Sequence, residues 1–148
     1  MNYALLTVYA DALDDYEKSR IATHNRTRSL SQIKGLENSP EAERMAALAD
    51  PFEFAERQIT RDLQKAVKAH PLGPWVRRTK GIGEKQAGRL LGVLGDPSLR
   101  VDPETGEVTE RTLGQLNSLA GYGDAKVQRR KRGEKANWNP VIKMRVYL

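Results

Sequence analysis

The chain contains no cysteine, which excludes disulfide frameworks, thiolate zinc sites and cysteine nucleophiles together. Its two histidines, His24 and His70, lie far apart in sequence, so a histidine metal site is not expected, nor any other cofactor. Aromatic residues make up 6% and apolar residues 39%, below the roughly 45–50% apolar content of an average domain. The core is therefore expected to be lean and aliphatic. No apolar run reaches the roughly 18 residues of a membrane span, and the N-terminus lacks the basic-then-apolar order of a signal peptide. No membrane partner is expected, and the location is expected to be cytoplasmic.

What the sequence has is charge, unevenly placed. Over 148 residues the net charge is +6. Residues 1–74 hold ten basic against eleven acidic side chains, and residues 75–148 hold fifteen against eight, so a near-neutral half precedes a strongly basic one. That asymmetry suggests a scaffold followed by a part that meets a polyanion.

The first half reads as helix. Leu5, Tyr9, Leu13 (with Ala12) and Tyr16 recur at steps of four and three, which places them on one helical face. Asp11, Asp14, Asp15, Glu17 and Lys18 occupy the other positions. The pattern loosens after Ile21, through a polar stretch ending at Leu30. Ser39 reads as an N-cap with Pro40 in the first turn, and Asp50-Pro51 repeats the signal. Phe52, Ala55, Ile59, Leu63 and Ala66/Val67 then form a long stripe that ends at His70-Pro71. Two antiparallel helices are expected to bury these stripes against each other, within the chain or in a homodimer. Both histidines are expected at the surface.

Further on, Asp102-Pro103-Glu104-Thr105-Gly106 has turn composition between Val101 and Val108 and fits a small β-hairpin near 100–109. A helix from about Arg111 through Leu113, Leu116, Leu119 and Ala120 stops at Gly121-Tyr122-Gly123. A basic run, Asn137-Trp138-Asn139-Pro140 and a last short helix complete the chain. The fold class is mainly α. Residues 1–73 are read as a helical scaffold or dimerisation segment, and 74–148 as a nucleic-acid-binding module.

The densest motif runs from Trp75 to Leu91. A short helix enters Gly81-Ile82-Gly83, and a second leaves with Ala87, Leu90, Leu91 and Leu94 on one face. Glycine suits a sharp backbone turn, Ile82 is expected to plug the core between the helices, and the free N–H groups of the second helix form a seat for a phosphate. Arg77, Arg78, Lys80, Lys85 and Arg89 are placed to flank that seat. Such contacts touch the backbone of a nucleic acid and carry little sequence choice. A tight turn used for packing alone would show the same glycines. From Lys126 to Lys135 six of ten residues are basic, namely Lys126, Arg129, Arg130, Lys131, Arg132 and Lys135. Read as a C-terminal arm, they favour any phosphate backbone.

The stretch around Gly81 resembles the helix-hairpin-helix motif of DNA-binding proteins, with Gly81, Ile82, Gly83 and Ala87 in its glycine, apolar, glycine and small positions. Thr79 and Lys80 depart from it, standing where an apolar residue and proline are usual. Residues from about 60 to 148 also look like the C-terminal region of bridge-RNA-guided insertion-sequence transposases. The matching order is His70-Pro71-Leu72, Gly81-Ile82-Gly83, Leu90-Leu91, Gly95-Asp96, Leu119-Ala120-Gly121-Tyr122 and a basic loop through Arg132-Gly133. That resemblance implies DNA as partner and an origin in a phage or mobile element, hence a bacterial or infected-host cytoplasm. It argues against catalysis by this chain alone. The family's DEDD domain is not expected here, and no residue from Leu119 to Leu148 is a serine; Ser118, nearest to the expected nucleophile, lies within a helix. A subunit acting with a separate catalytic domain, and an RNA-binding or assembly protein, stay open as alternatives.

Overall fold

In a computed structural model, which describes residues 3–102, 104–123, 132–133 and 135–147, the chain is mainly helical. The elements are α1 (Tyr3–Ser31), α2 (Pro40–Ala47), α3 (Asp50–Ala69), α4 (Gly73–Arg78), α5 (Glu84–Leu94), β1 (Leu99–Val101), β2 (Val108–Glu110), α6 (Leu113–Leu119) and α7 (Pro140–Tyr147). No helix among the described residues is long and apolar enough to cross a membrane.

The long helices α1 and α3 run antiparallel. Tyr3 packs edge-on to His70 at one end, and Arg20 Nε donates to Glu56 Oε2 at 2.6 Å toward the other. Helix α5 lies against both. The core consists of Leu6, Leu13, Leu63, Val67, Val76, Ala87 and Leu91, aliphatic as the composition implies. The buried stripe of α1 is Leu6, Ala10 and Leu13; of the expected one Leu13 is buried and Tyr9 packs against the core, while Leu5 and Tyr16 are exposed. Leu5 and Leu6 are adjacent, so periodicity alone does not choose between them; the small side chain of Ala10, which admits α5, does.

Three small residues let α5 approach so closely. A Cβ on Gly88 would meet the Leu63 side chain at 2.7 Å, and one on Gly92 would come within 2.8 Å of the Leu6 carbonyl oxygen. Thr7 Oγ1 donates to the Gly92 carbonyl at 2.7 Å and fixes the crossing. Ala87 completes the series and is buried.

Helix α1 continues through the stretch where the pattern loosens, to Ser31. In its polar stretch Thr23, Thr27, Ser29 and Ser31 donate to the carbonyls four residues back, at 2.7–3.1 Å, which satisfies their hydroxyls inside the helix, while α2 and α3 pack against it. Ser39 caps α2 as expected, accepting from the Ala42 N–H at 3.2 Å. Asp50 is not a cap: α3 begins with it, and Ala49 stands at the cap position without a side-chain bond. His70 is not at the surface but 7% exposed, and its Nδ1 accepts from the Leu72 N–H at 3.1 Å. Burial lowers its pKa, against the opposing pull of Asp96.

The expected hairpin is present, with Leu99 opposite Glu110 and Val101 opposite Val108. Asp102 Oδ1 accepts from the Glu104 and Thr105 N–H groups, both at 2.9 Å, and Gly106 supplies a positive φ. Thr112 and Gln115 form a capping box at the start of α6. At its end Gly121 takes φ +75°, the Tyr122 N–H donates to Asn117 O at 2.8 Å and the Gly121 N–H to Ser118 O at 3.1 Å, a Schellman closure.

Two substitutions separate packing from helix propensity. Gly92→Ala is expected to cost about 1–3 kcal/mol through the clash with the Leu6 carbonyl, despite the better helix former. Gly114→Ala, whose Cβ would meet only Thr112 Oγ1 at 4.0 Å, is expected to gain up to about 1 kcal/mol. Urea unfolding monitored by circular dichroism reads both.

Candidate nucleic-acid interface

Helix α4 ends at Arg78, where the Thr79 N–H donates to the Trp75 and Val76 carbonyls and Thr79 Oγ1 donates to Trp75 O at 2.9 Å. Gly81 follows with φ +87°, a conformation that side-chain-bearing residues rarely adopt. Gly83 is the N-cap of α5, with φ −86° and ψ 156° and no side-chain cap. Its backbone does not require glycine. What glycine provides at both positions is space, for a Cβ at either would have nothing within 4 Å. Among the described residues the N–H groups of Glu84, Lys85 and Gln86 have no protein acceptor. The start of α5 therefore carries outward donors and the positive end of the helix dipole, unobstructed.

Val76 of α4 and Ala87 and Leu91 of α5 supply the core beneath this turn. Ile82 is not the expected plug, being 38% exposed; Val76, Ala87 and Leu91 already fill the core at this point.

The basic residues divide. Arg77, Arg78 and Lys80 are exposed and pair with no carboxylate among the described residues. Lys85 and Arg89 do not flank the turn but face α1. Lys85 Nζ lies 2.6 Å from Glu17 Oε1 and 3.9 Å from Glu56 Oε1. Arg89, 5% exposed, pairs with Glu17 and lies 2.8 Å from Asp14 Oδ1. Positions 85 and 89 are one helical turn apart, on the side of α5 where Gly88 and Gly92 touch α3 and α1. The same turn-spacing that suggested a basic rim therefore directs these two inward.

Arg145 of α7, also buried, pairs with Asp14 from the other side. Asp14 and Glu17, three residues apart on α1, thus hold two buried guanidinium groups and an ammonium. Sequence reading places both acids on the solvent face; the signal it passed over is that each pair, Asp14 with Glu17 and Lys85 with Arg89, lies about one helical turn apart on its own helix. Burial pushes the Glu17 carboxyl up, but hydrogen bonds from Lys85 and Arg89 and their charges outweigh it, so its pKa lies below the ordinary 4.5.

Of the basic run, Lys126, Arg129, Arg130 and Lys131 lie outside the described residues, while Arg132 and Lys135 are exposed. The chain on either side of the run is tied. The Asn139 N–H donates to Leu119 O at 2.8 Å, and Asn139 Oδ1 accepts from the Val141 and Ile142 N–H groups at the start of α7. Lys143 Nζ donates to Gly121 O at 3.1 Å and sits 4.7 Å from the centre of the Trp138 ring and 5.3 Å from that of Tyr122. Trp138 accordingly packs over Gly121 and secures α7, so described structure stands on both sides of the run.

Family models, curated proteins and solved structures were all compared with the chain, and none matches.

A second concavity, absent from the sequence reading, lies between the β1–β2 hairpin and α6. It encloses about 840 Å³ and is lined in part by Arg100, Arg111, Gln115, Asn117, Ser118 and Tyr122. No group of metal-ligating side chains occurs among the described residues.

The ion cluster predicts specific losses. Asp14→Ala, which leaves Arg89 and Arg145 short of a partner, is expected to cost about 3–5 kcal/mol, whereas exposed Asp15→Ala is expected to stay within about 0.5 kcal/mol. Because the Glu17 pKa is depressed, its contribution is complete above its unfolded value and is lost as pH falls through the folded one. The thermal midpoint is therefore expected to drop below about pH 4.5, less steeply in Glu17→Gln.

Proposed function

We propose that the protein binds DNA through its phosphate backbone, with little sequence preference. The observation that carries this reading is the start of α5, where unobstructed N–H groups and a helix dipole meet the exposed Arg77, Arg78 and Lys80. A helix N-terminus of this kind favours a phosphate, and the three cations supply attraction without base readout. The concentration of positive charge in residues 75–148 supports a polyanionic partner. The resemblance to helix-hairpin-helix proteins and to the C-terminal region of insertion-sequence transposases supports nucleic acid as its class. Lys85 and Arg89, held by carboxylates of α1, act in this reading by orienting α5 and not by touching the ligand.

The position of Gly83 offers a test in which folding and binding move in opposite directions. Gly83→Asp introduces a favourable N-cap, worth about a few tenths of a kcal/mol, while placing a carboxylate over the phosphate seat. The variant is expected to unfold no more easily than the wild type and to bind duplex DNA at least about tenfold more weakly in a salt-titrated anisotropy assay. Lys80→Gln is expected to reduce the slope of log affinity against log salt by roughly one unit. Unchanged duplex affinity in both variants would falsify the reading.

A further inference from the structure

We propose that the cleft between the β1–β2 hairpin and α6 takes a single unpaired nucleotide of a nucleic-acid strand. The inference rests on the proposed function only in taking the polymer to be nucleic acid; the site is formed by other residues. At about 840 Å³ the cleft falls within the range of roughly 300–1,000 Å³ typical of small-ligand sites.

Three chemistries converge on its walls. Arg100 and Arg111 contribute guanidinium groups, and no described lining residue carries a carboxylate. The buried Nη1 of Arg111 has no hydrogen-bond partner among the described residues, although its backbone is fixed by the Arg111 N–H donating to Ser98 O at 2.7 Å. A buried guanidinium nitrogen without an acceptor is unusual and calls for one. Asp102 lies close enough to interact with Arg100, but its Oδ1 is engaged by the Glu104 and Thr105 N–H groups.

Gln115 and Asn117 add carboxamides, which can bond the edge of a base through paired donor and acceptor. Gln115 Oε1 accepts from the Thr112 N–H at 2.9 Å, so its side chain is already oriented. Tyr122 adds a ring that remains 46% exposed with Lys143 over it, suited to stacking against a base. A free phosphate would use only the guanidinium groups. A nucleotide uses all three, and only an unpaired one can enter a cleft and present its edge.

The rim agrees with this ligand. Gly123 and Asn137 both line the cleft, so the segment that carries the six basic residues from Lys126 to Lys135 leaves and returns at its edge.

The test uses the full chain and three probes: a short labelled thymidine oligonucleotide, a blunt duplex, and millimolar inorganic phosphate as competitor. The oligonucleotide is expected to bind the wild type. Arg111→Gln and Asn117→Asp are each expected to weaken it by about tenfold or more, in a Gly83→Asp background as in the wild type. Asn117 is exposed, so its variant is expected to keep the wild-type thermal midpoint and duplex affinity. Phosphate is expected not to displace the oligonucleotide. The proposal is overturned if both cleft variants bind the oligonucleotide like the wild type, if phosphate alone displaces it, or if the wild type binds duplex but not the single strand. The last result leaves the reading of the Gly81 turn standing. Binding of the single strand without the duplex does the reverse, supporting the cleft and removing the turn.

Discussion

Arg89 and Arg145 are guanidinium groups almost out of reach of water, and both depend on carboxylates of α1. Burying such a group is costly unless it is paired, so the positions of α5 and α7 are set relative to Asp14 and Glu17 with little latitude. The glycine contacts of α5 act together with this requirement. Gly88 and Gly92 bring the helix near enough to α3 and α1 for Arg89 to reach its partners, and the ion pairs forbid the rotation that the small side chains would otherwise permit. The start of α5, with its outward N–H groups, is therefore held by interactions on the far face of the same helix.

Architecture and chemistry were unequally visible in the residues. The helices α2, α3 and α6, the hairpin and the turn at Gly81 follow from local signals, because caps, prolines and glycines act over a few positions. Ser39, Thr112 with Gln115, and Gly121 each sit where the backbone needs them. The far part of α1 was harder to read, since around Ile21 it meets α3 through charged pairs, Arg20 with Glu56 and His24 with Glu53, and not through an apolar stripe. His70 was misplaced for a related reason: its burial comes from Tyr3 and the Leu72 N–H, one distant in sequence and the other a backbone group.

The candidate site was legible only in part. Backbone conformation at Gly81 and open space at Gly83 agree with a glycine-rich turn, but the number of basic residues near it says nothing about their direction. Lys85 and Arg89 could be assigned only by knowing which side of α5 is covered, and that is decided by tertiary packing against α1 and α3. The cleft at Arg111 was invisible for a stronger reason. It joins a hairpin residue, a helix start and a helix end, none of which forms a motif with the others.

The hydrogen bond between the Asn139 N–H and Leu119 O joins the start of α7 to the end of α6. It ties two points twenty positions apart, so whatever path the intervening chain follows, its ends are already together. The entropy of closing that loop is lost when the protein folds and not when a ligand arrives. Asn139, which carries no charge, thereby fixes through one backbone bond the span that the intervening segment has to bridge.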